Sequence, residues 1–260
     1  MTHPASPLAP TTQPPLPTWA ADLLRTPPHR VVGRVWSTTP GLSAQHTPRD
    51  LAAEGYDLVG VSRGYLRTAW GLDPVDQRSF ARAALWSRPG PMVDLACGGL
   101  TATADLYAAA RRPLLLVDRS LSMLLRAEER LARRGDVVLL HADVDELELR
   151  RQGADTVACL GMLHLVDRPA DLVGRLTRWV RPGGTVHLSS LTLGRSGSDL
   201  LLEALARAGE LAPPRTQDEL VAALGLPRAR VVRRGAMSFV DAVVTGHPLD
   251  ARDARGPATV

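Results

Sequence analysis

Residues 92–118 read MVDLACGGLTATADLYAAARRPLLLVD, and the fold is decided there. A short apolar run ends in small residues, an alanine-rich helical stretch covers Thr101–Arg111, and a second apolar run closes at Asp118. Two uninterrupted apolar runs flanking a helix describe parallel strands buried on both faces. The connection between the first strand and the helix is Asp94-Leu95-Ala96-Cys97-Gly98-Gly99-Leu100. Its small residues belong where backbone must approach a ligand with no Cβ in the way. In open α/β sheets that place is the crevice beyond the carboxyl ends of the strands.

The alternation continues downstream. Residues 121–134 put Leu121, Leu124, Leu125, Glu128 and Leu131 on one helical face. DVVLLHAD (136–143) and ADTVACL (154–160) read as strands. Residues 170–180 stripe Leu172, Val173, Leu176, Trp179 and Val180 along a helix that stops at Pro182-Gly183-Gly184. TVHLSSLTL (185–193) is a fifth strand. Residues 200–208 and 216–224 are helical, the second opened by a Thr216/Glu219 capping box. RARVVRRGAMSFVDAVVTG (228–246) reads as two strands turning at Arg234-Gly235. The expectation is an α/β, doubly wound sheet of seven strands, mostly parallel, with right-handed crossovers and an antiparallel edge strand.

Upstream the pattern breaks. Residues 1–30 are crowded with proline and read as a disordered arm whose removal leaves stability almost unchanged. Residues 31–90 read as a helical lid segment, with Val75, Phe80, Ala84 and Leu85 near one face of a helix over 74–86. The α/β domain then spans 91–250, followed by a tail, 251–260. Residues 56–70 and 194–214 are the candidate lid segments.

Of the 260 residues, none is lysine, asparagine or isoleucine, so all 31 basic residues are arginine. GC-rich coding accounts for this, and a net charge of only +4 argues against a nucleic-acid partner. Without lysine there is no Schiff base and no phosphate-binding Gly-Lys-Ser/Thr loop. No Cys-x-x-Cys or His-Glu-x-x-His supplies a zinc ligand set, so no metal is expected. The two cysteines, Cys97 and Cys159, cannot make a disulfide framework and fit a reducing, cytoplasmic setting. No apolar run reaches the ~18 residues of a membrane helix, and no secretory leader is evident.

Asp118 ends the second strand 20 residues after Gly98, a spacing at which a carboxylate accepts from ribose hydroxyls. Asp143 ends the third strand. A dinucleotide loop would read G-x-G-x-x-G, whereas the chain offers A-x-G-x-x-T from Ala96, a poor match.

Together VDLACGGL (93–100), LLLVDRSLSML (114–124), HADVDELEL (141–149), ADTVACLGMLHLVDRP (154–169) and WVRPGGTVHLSSL (179–191) resemble the ordered motifs of class I S-adenosylmethionine (SAM)-dependent methyltransferases, particularly the small-molecule type. The likeness covers roughly residues 56 to 245. It implies SAM as cofactor and a small-molecule acceptor. Asp94 and the backbone of Ala96, Cys97 and Gly98 would line the methionine half. Asp118 would hold the ribose, Met123 and Arg119 would flank the adenine, and Asp143 with the Val144 amide would read its edge. Leu160 would lie under the sulfonium. His164 is the candidate general base, with a substrate contact or loop packing as its alternatives; His141 and His187 read as structural. The chain departs from the family at Ala96 and Leu100, where glycine is usual. A leucine at a position needing φ > 0 would displace the loop. The rival readings are a methyltransferase-like fold without transfer activity, another reaction such as cyclisation on the same fold, and a nicotinamide oxidoreductase.

Overall fold

The computed structural model describes residues 15–39, 62–131 and 134–245. The deciding stretch folds as read. Strand β3 (Met92–Leu95) leads through a helix (Ala104–Ala109) into β4 (Leu114–Asp118), and the two strands pair in parallel, Met92 with Leu114 through Leu95 with Val117. Next come β5 (Val137–His141), β6 (Ala154–Cys159) and β7 (Val180–Leu191), and finally β8 (Arg230–Arg234) and β9 (Met237–Val243).

The sheet has nine strands rather than seven, in the order β1-β2-β5-β4-β3-β6-β7-β9-β8. The two additions are β1 (His29–Val32) and β2 (Val35–Ser37). They form a hairpin turning at Gly33, whose φ is 53°. β2 lies parallel to β5, Val35 opposite Leu139 and Ser37 opposite His141. At the other end the antiparallel strand is not the edge itself. β9 runs antiparallel to both β7 and β8 and leaves β8 outermost. The turn between β8 and β9 needs glycine: Gly235 has φ 57°, and a Cβ there would press on the Trp70 carbonyl.

The proline-rich arm therefore ends earlier than residue 30. Residues 1–14 and 40–61, with Tyr56 of the candidate lid, lie outside the described residues, as does the tail 251–260. Thr18–Leu23 is a helix that buries Ala20 and Leu23, and Leu24 bridges to Leu149. The amide of Arg150 donates to the Leu23 carbonyl at 2.8 Å. Pro17 only starts the helix, a place where proline's missing donor costs nothing. The lid segment is accordingly part strand and part helix, Arg63–Trp70 and Pro74–Trp86.

Helix Pro74–Trp86 is capped by Asp73, which accepts from the Val75 amide at 3.0 Å. It buries Ala81, Ala84 and Leu85; Val75, expected on that face, is exposed because it sits in the first turn, beyond the sheet. The helix over 169–179 buries its predicted stripe, and the Thr216/Glu219 capping box is present. The helix over 121–130 buries Leu121, Leu124 and, just past its end, Leu131, but leaves Leu125 and Glu128 half-buried and buries Ser122, Met123 and Ala127 instead. The helix Ser196–Arg207 packs on Arg63–Trp70 through a cluster including Leu66, Trp70, Leu202, Met237 and Phe239. Both candidate lids thus meet at the carboxyl end of β7.

Strand order reverses between β3 and β6, so the loops leaving these neighbours diverge and open a crevice at their carboxyl ends. Leu23 is 2% exposed in the main core cluster, so Leu23→Ala should cost about 2–5 kcal/mol in urea unfolding. A cost under ~0.5 kcal/mol, the usual range for a surface position, would restore the undocked arm.

Candidate cofactor site

The loop after β3 alternates into left-handed backbone: Ala96 at φ 53°, Gly98 at 58° and Leu100 at 58°. For a non-glycine residue that conformation costs roughly 1–2 kcal/mol. Leu100 therefore does need φ > 0, yet the loop stands. Its side chain is 5% exposed and shares a buried cluster with Tyr107, Leu121 and Leu124. It points into the interior, where its burial offsets the backbone cost. The loop is held from several sides. The Cys97 amide donates to Val117 O at 3.1 Å, the Ala104 amide to Leu100 O at 2.8 Å, and the Arg130 guanidinium to Gly99 O. A Cβ at Gly98 would meet nothing within 4 Å, so the loop faces open space on the crevice side.

Of the expected carboxylates, Asp118 is bonded to it directly and Asp94 stands just before it in β3. Asp118 accepts from the Gly98 amide with Oδ2 and from the Ser120 amide with Oδ1, both at 2.8 Å. Burial pushes its carboxyl above the usual range against those two bonds. Asp94, 3% exposed, accepts from the Tyr107 hydroxyl at 2.5 Å with Oδ2. Among the described residues its Oδ1 is buried with no partner. Burial, opposed by the Tyr107 bond and reinforced by the charge of Asp118, raises Asp94 to about 7. The same burial and the two carboxylates push the Cys97 thiol up, which removes it as a nucleophile.

The adenine-side residues lie along the tips of β4 and β5. Met123 is buried in the first turn of the helix Leu121–Arg130, where its amide donates to the Ser120 hydroxyl at 3.4 Å. Arg119 is exposed. Asp143 is half-buried and caps its own turn, accepting from the Asp145 amide at 2.8 Å. Its second oxygen is not used in that bond. Val144 packs on the main core. Across the crevice, Leu160 is half-buried at the end of β6, and the Gly161 amide donates to the Ser189 hydroxyl at 2.8 Å. Gly161 has φ 76° and open space where a Cβ would be.

His164 is set apart from these residues. It sits on a 3-10 turn (Leu163–Leu165), 9% exposed, and its Nδ1 accepts from the Leu191 amide at 3.4 Å. In the neutral ring the proton is then on Nε2, and burial holds the pKa down at about 4. The geometry ties the turn to β7 and gives no support to a general base. Tyr107 and Ser189 were not legible as site residues: each is recognised only once helix phase and strand register bring it to Asp94 or Gly161. Among the described residues no group of three or more His, Cys, Asp or Glu is placed to hold a metal.

Comparison with known proteins agrees with this geometry. Residues 93–188 match a family model described as a methyltransferase domain. The chain is 32% identical over 153 residues to the ubiquinone biosynthesis O-methyltransferase of Methylococcus capsulatus, covering 55% of this chain and 64% of that protein. It is 28% identical over 129 residues to an uncharacterized chloroplastic methyltransferase of Arabidopsis thaliana, covering 44% of this chain and 35% of that one. The chain thus spans less than two thirds of either relative. Among solved structures, it is similar in fold to the geranyl diphosphate C-methyltransferase of Streptomyces coelicolor A3(2) in complex with S-adenosylhomocysteine (TM-score 0.55, 12% identity, 66% of this chain and 76% of that one). A methyltransferase from Methanococcus maripaludis gives TM-score 0.53 at 12% identity over 80% of this chain and all of its own.

Leu100→Gly removes the left-handed strain but leaves a void among Tyr107, Leu121 and Leu124. A net loss of about 1–3 kcal/mol in stability is expected from those opposed terms. Affinity for S-adenosylhomocysteine should change by less than about tenfold, or ~1.4 kcal/mol, in calorimetry. Binding seen only in the glycine variant would mean that leucine blocks the crevice.

Proposed function

We propose that this chain is a class I SAM-dependent methyltransferase that transfers a methyl group to a small-molecule acceptor, a reading supported by the matched methyltransferase domain and by the fold. The observation that carries the reading is the unpartnered Oδ1 of Asp94, buried beside a glycine loop that opens onto free space. A buried carboxylate oxygen without a donor is costly. The ammonium of the cofactor's methionine half supplies both donors and the opposite charge.

Bound SAM would bring a methyl group already activated on a sulfonium. What remains for the protein is to bind, orient and exclude water, and well-oriented reactants can gain roughly 7–11 kcal/mol from positioning. Asp118 would accept from the ribose hydroxyls while keeping its two amide bonds, since each carboxylate oxygen has two lone pairs. Met123, Arg119, Asp143 and the Val144 amide would frame the adenine. Ala96, Cys97 and Gly98 would contact the methionine half through their backbone. Leu160 and Gly161 would lie under the reacting sulfur, where the missing Cβ leaves room for an acceptor.

The similarity to an O-methyltransferase supports a small organic acceptor, and the fold shared with a C-methyltransferase is compatible with it. The reading without transfer activity rested on Leu100, which turns inward and leaves the crevice clear. Among the described residues no helix is long and apolar enough to cross a membrane. With the two unpaired cysteines this supports a cytoplasmic enzyme.

Asp118→Asn should weaken S-adenosylhomocysteine binding by ~1.5–3 kcal/mol, the worth of a charged hydrogen bond, with the fold retained. Unchanged affinity in calorimetry would remove Asp118 from the site.

Asp94 sets a pH dependence. In the unfolded chain it ionises at 3.8 and in the folded, ligand-free protein at about 7. Its contribution is therefore complete below 3.8 and is lost as pH rises to about 7. Asp94→Asn should flatten that part of the stability profile. Binding of the ammonium-bearing ligand should drive ionisation, so at pH 6 the heat of binding should vary with buffer as a proton is released. The variation should vanish at pH 8 and in Asp94→Asn. Buffer-independent heats at pH 6 would show that the ligand does not meet Asp94.

A further inference from the structure

The turn that carries Asp118 has a second holder. His141 ends β5 directly opposite Asp118 in the parallel register of β4 and β5. It is 7% exposed, and its Nε2 lies 2.8 Å from the carbonyl oxygen of Arg119. A carbonyl only accepts, so the ring nitrogen donates and carries the hydrogen. The backbone of His141 is fixed independently. Its carbonyl accepts from the Ser37 hydroxyl at 3.0 Å, and Ser37 is fully buried in β2.

The Arg119 carbonyl and the Ser120 amide belong to one peptide unit. That unit is planar and trans, so fixing the direction of its C=O fixes its N–H, pointing the other way. The Ser120 N–H is one of the two donors that hold the Asp118 carboxylate, at 2.8 Å on Oδ1. The ring of His141 therefore sets the orientation of that carboxylate through a single rigid plate. A solvent-exposed strand-tip carbonyl needs no such partner, because water can satisfy it. What the imidazole adds is a directed donor aimed at one of the two peptides whose amides hold Asp118.

We infer that His141 is a positioning residue for the nucleoside half of the cofactor, acting on Asp118 through the 119–120 peptide plane. The inference rests on the proposed SAM-binding role of Asp118. The geometry also orders the substitutions. A glutamine amide reaches the place of Nε2 and keeps the donor, whereas an asparagine amide stops about one bond short.

The test is calorimetric titration of S-adenosylhomocysteine into wild type, His141→Gln, His141→Asn, Asp118→Asn and the double variant His141→Asn/Asp118→Asn, with melting curves for each. His141→Gln should bind within about threefold of wild type and His141→Asn about fivefold to twentyfold more weakly, the range for one lost hydrogen bond. In the Asp118→Asn background the same His141→Asn change should cost less than about threefold, because the group it orients is already impaired. If asparagine prevents folding, His141→Leu gives the same contrast with glutamine. Wild-type-like binding by His141→Asn overturns the inference. So do equal losses for glutamine and asparagine at matched melting temperatures, or additive losses in the double variant. Absence of binding by wild type would instead overturn the SAM reading itself, and with it this one.

Discussion

Two backbone amides converge on the carboxylate of Asp118, and the rest of the site depends on that convergence. One amide comes from the loop after β3, the other from the turn after β4. The carboxylate therefore ties together the tips of β3 and β4, next to the crevice between β3 and β6 where the sheet's order reverses. Hydrogen bonds to a charged group contribute about 1.5–3 kcal/mol each. That is comparable with the backbone cost of two non-glycine residues held left-handed in the same loop, roughly 1–2 kcal/mol each. Strain in Ala96 and Leu100 and attraction at Asp118 are thus two sides of one balance, tipped by the burial of the Leu100 side chain.

Much of this was legible because it is local. The β3–β4 unit, the striped helices and the Thr216/Glu219 cap each follow from spacings of a few residues. The carboxylates at the strand ends were legible for the same reason: a strand that stops tells where its last side chain stands. What was not legible is long-range. The segment 18–37 shows prolines and a few apolar residues, and nothing near it reveals that β5 is waiting as a partner. The strand count turns on that contact, and the docked helix Thr18–Leu23 on a second one, Leu23 and Leu24 against Leu149 and Arg150. His164 shows a related limit. Its place in the loop after β6 is readable, but the Leu191 amide that takes its Nδ1 comes from the far end of another strand. Asp143 caps its own turn, the local role its position offered, and that bond uses only one of its oxygens.

The hairpin of β1 and β2 has a consequence for how the chain comes to be folded. Ser37 meets His141 across 104 positions of sequence. During synthesis the hairpin emerges long before its partner strand, whereas β3 and β4 can pair almost as soon as both are made. Contacts that close so long a loop form late. Until then Val31, Val32, Val35 and Trp36 have no sheet to join, and an unpaired apolar hairpin is a surface on which nascent chains can stick to one another. Arg30 and Arg34 interrupt the run, and the Arg30 guanidinium lies 4.5 Å over the Trp36 ring. Until Arg34 finds Glu128, these two arginines put like charge into the unfinished hairpin, a device that opposes edge-to-edge pairing with its copies.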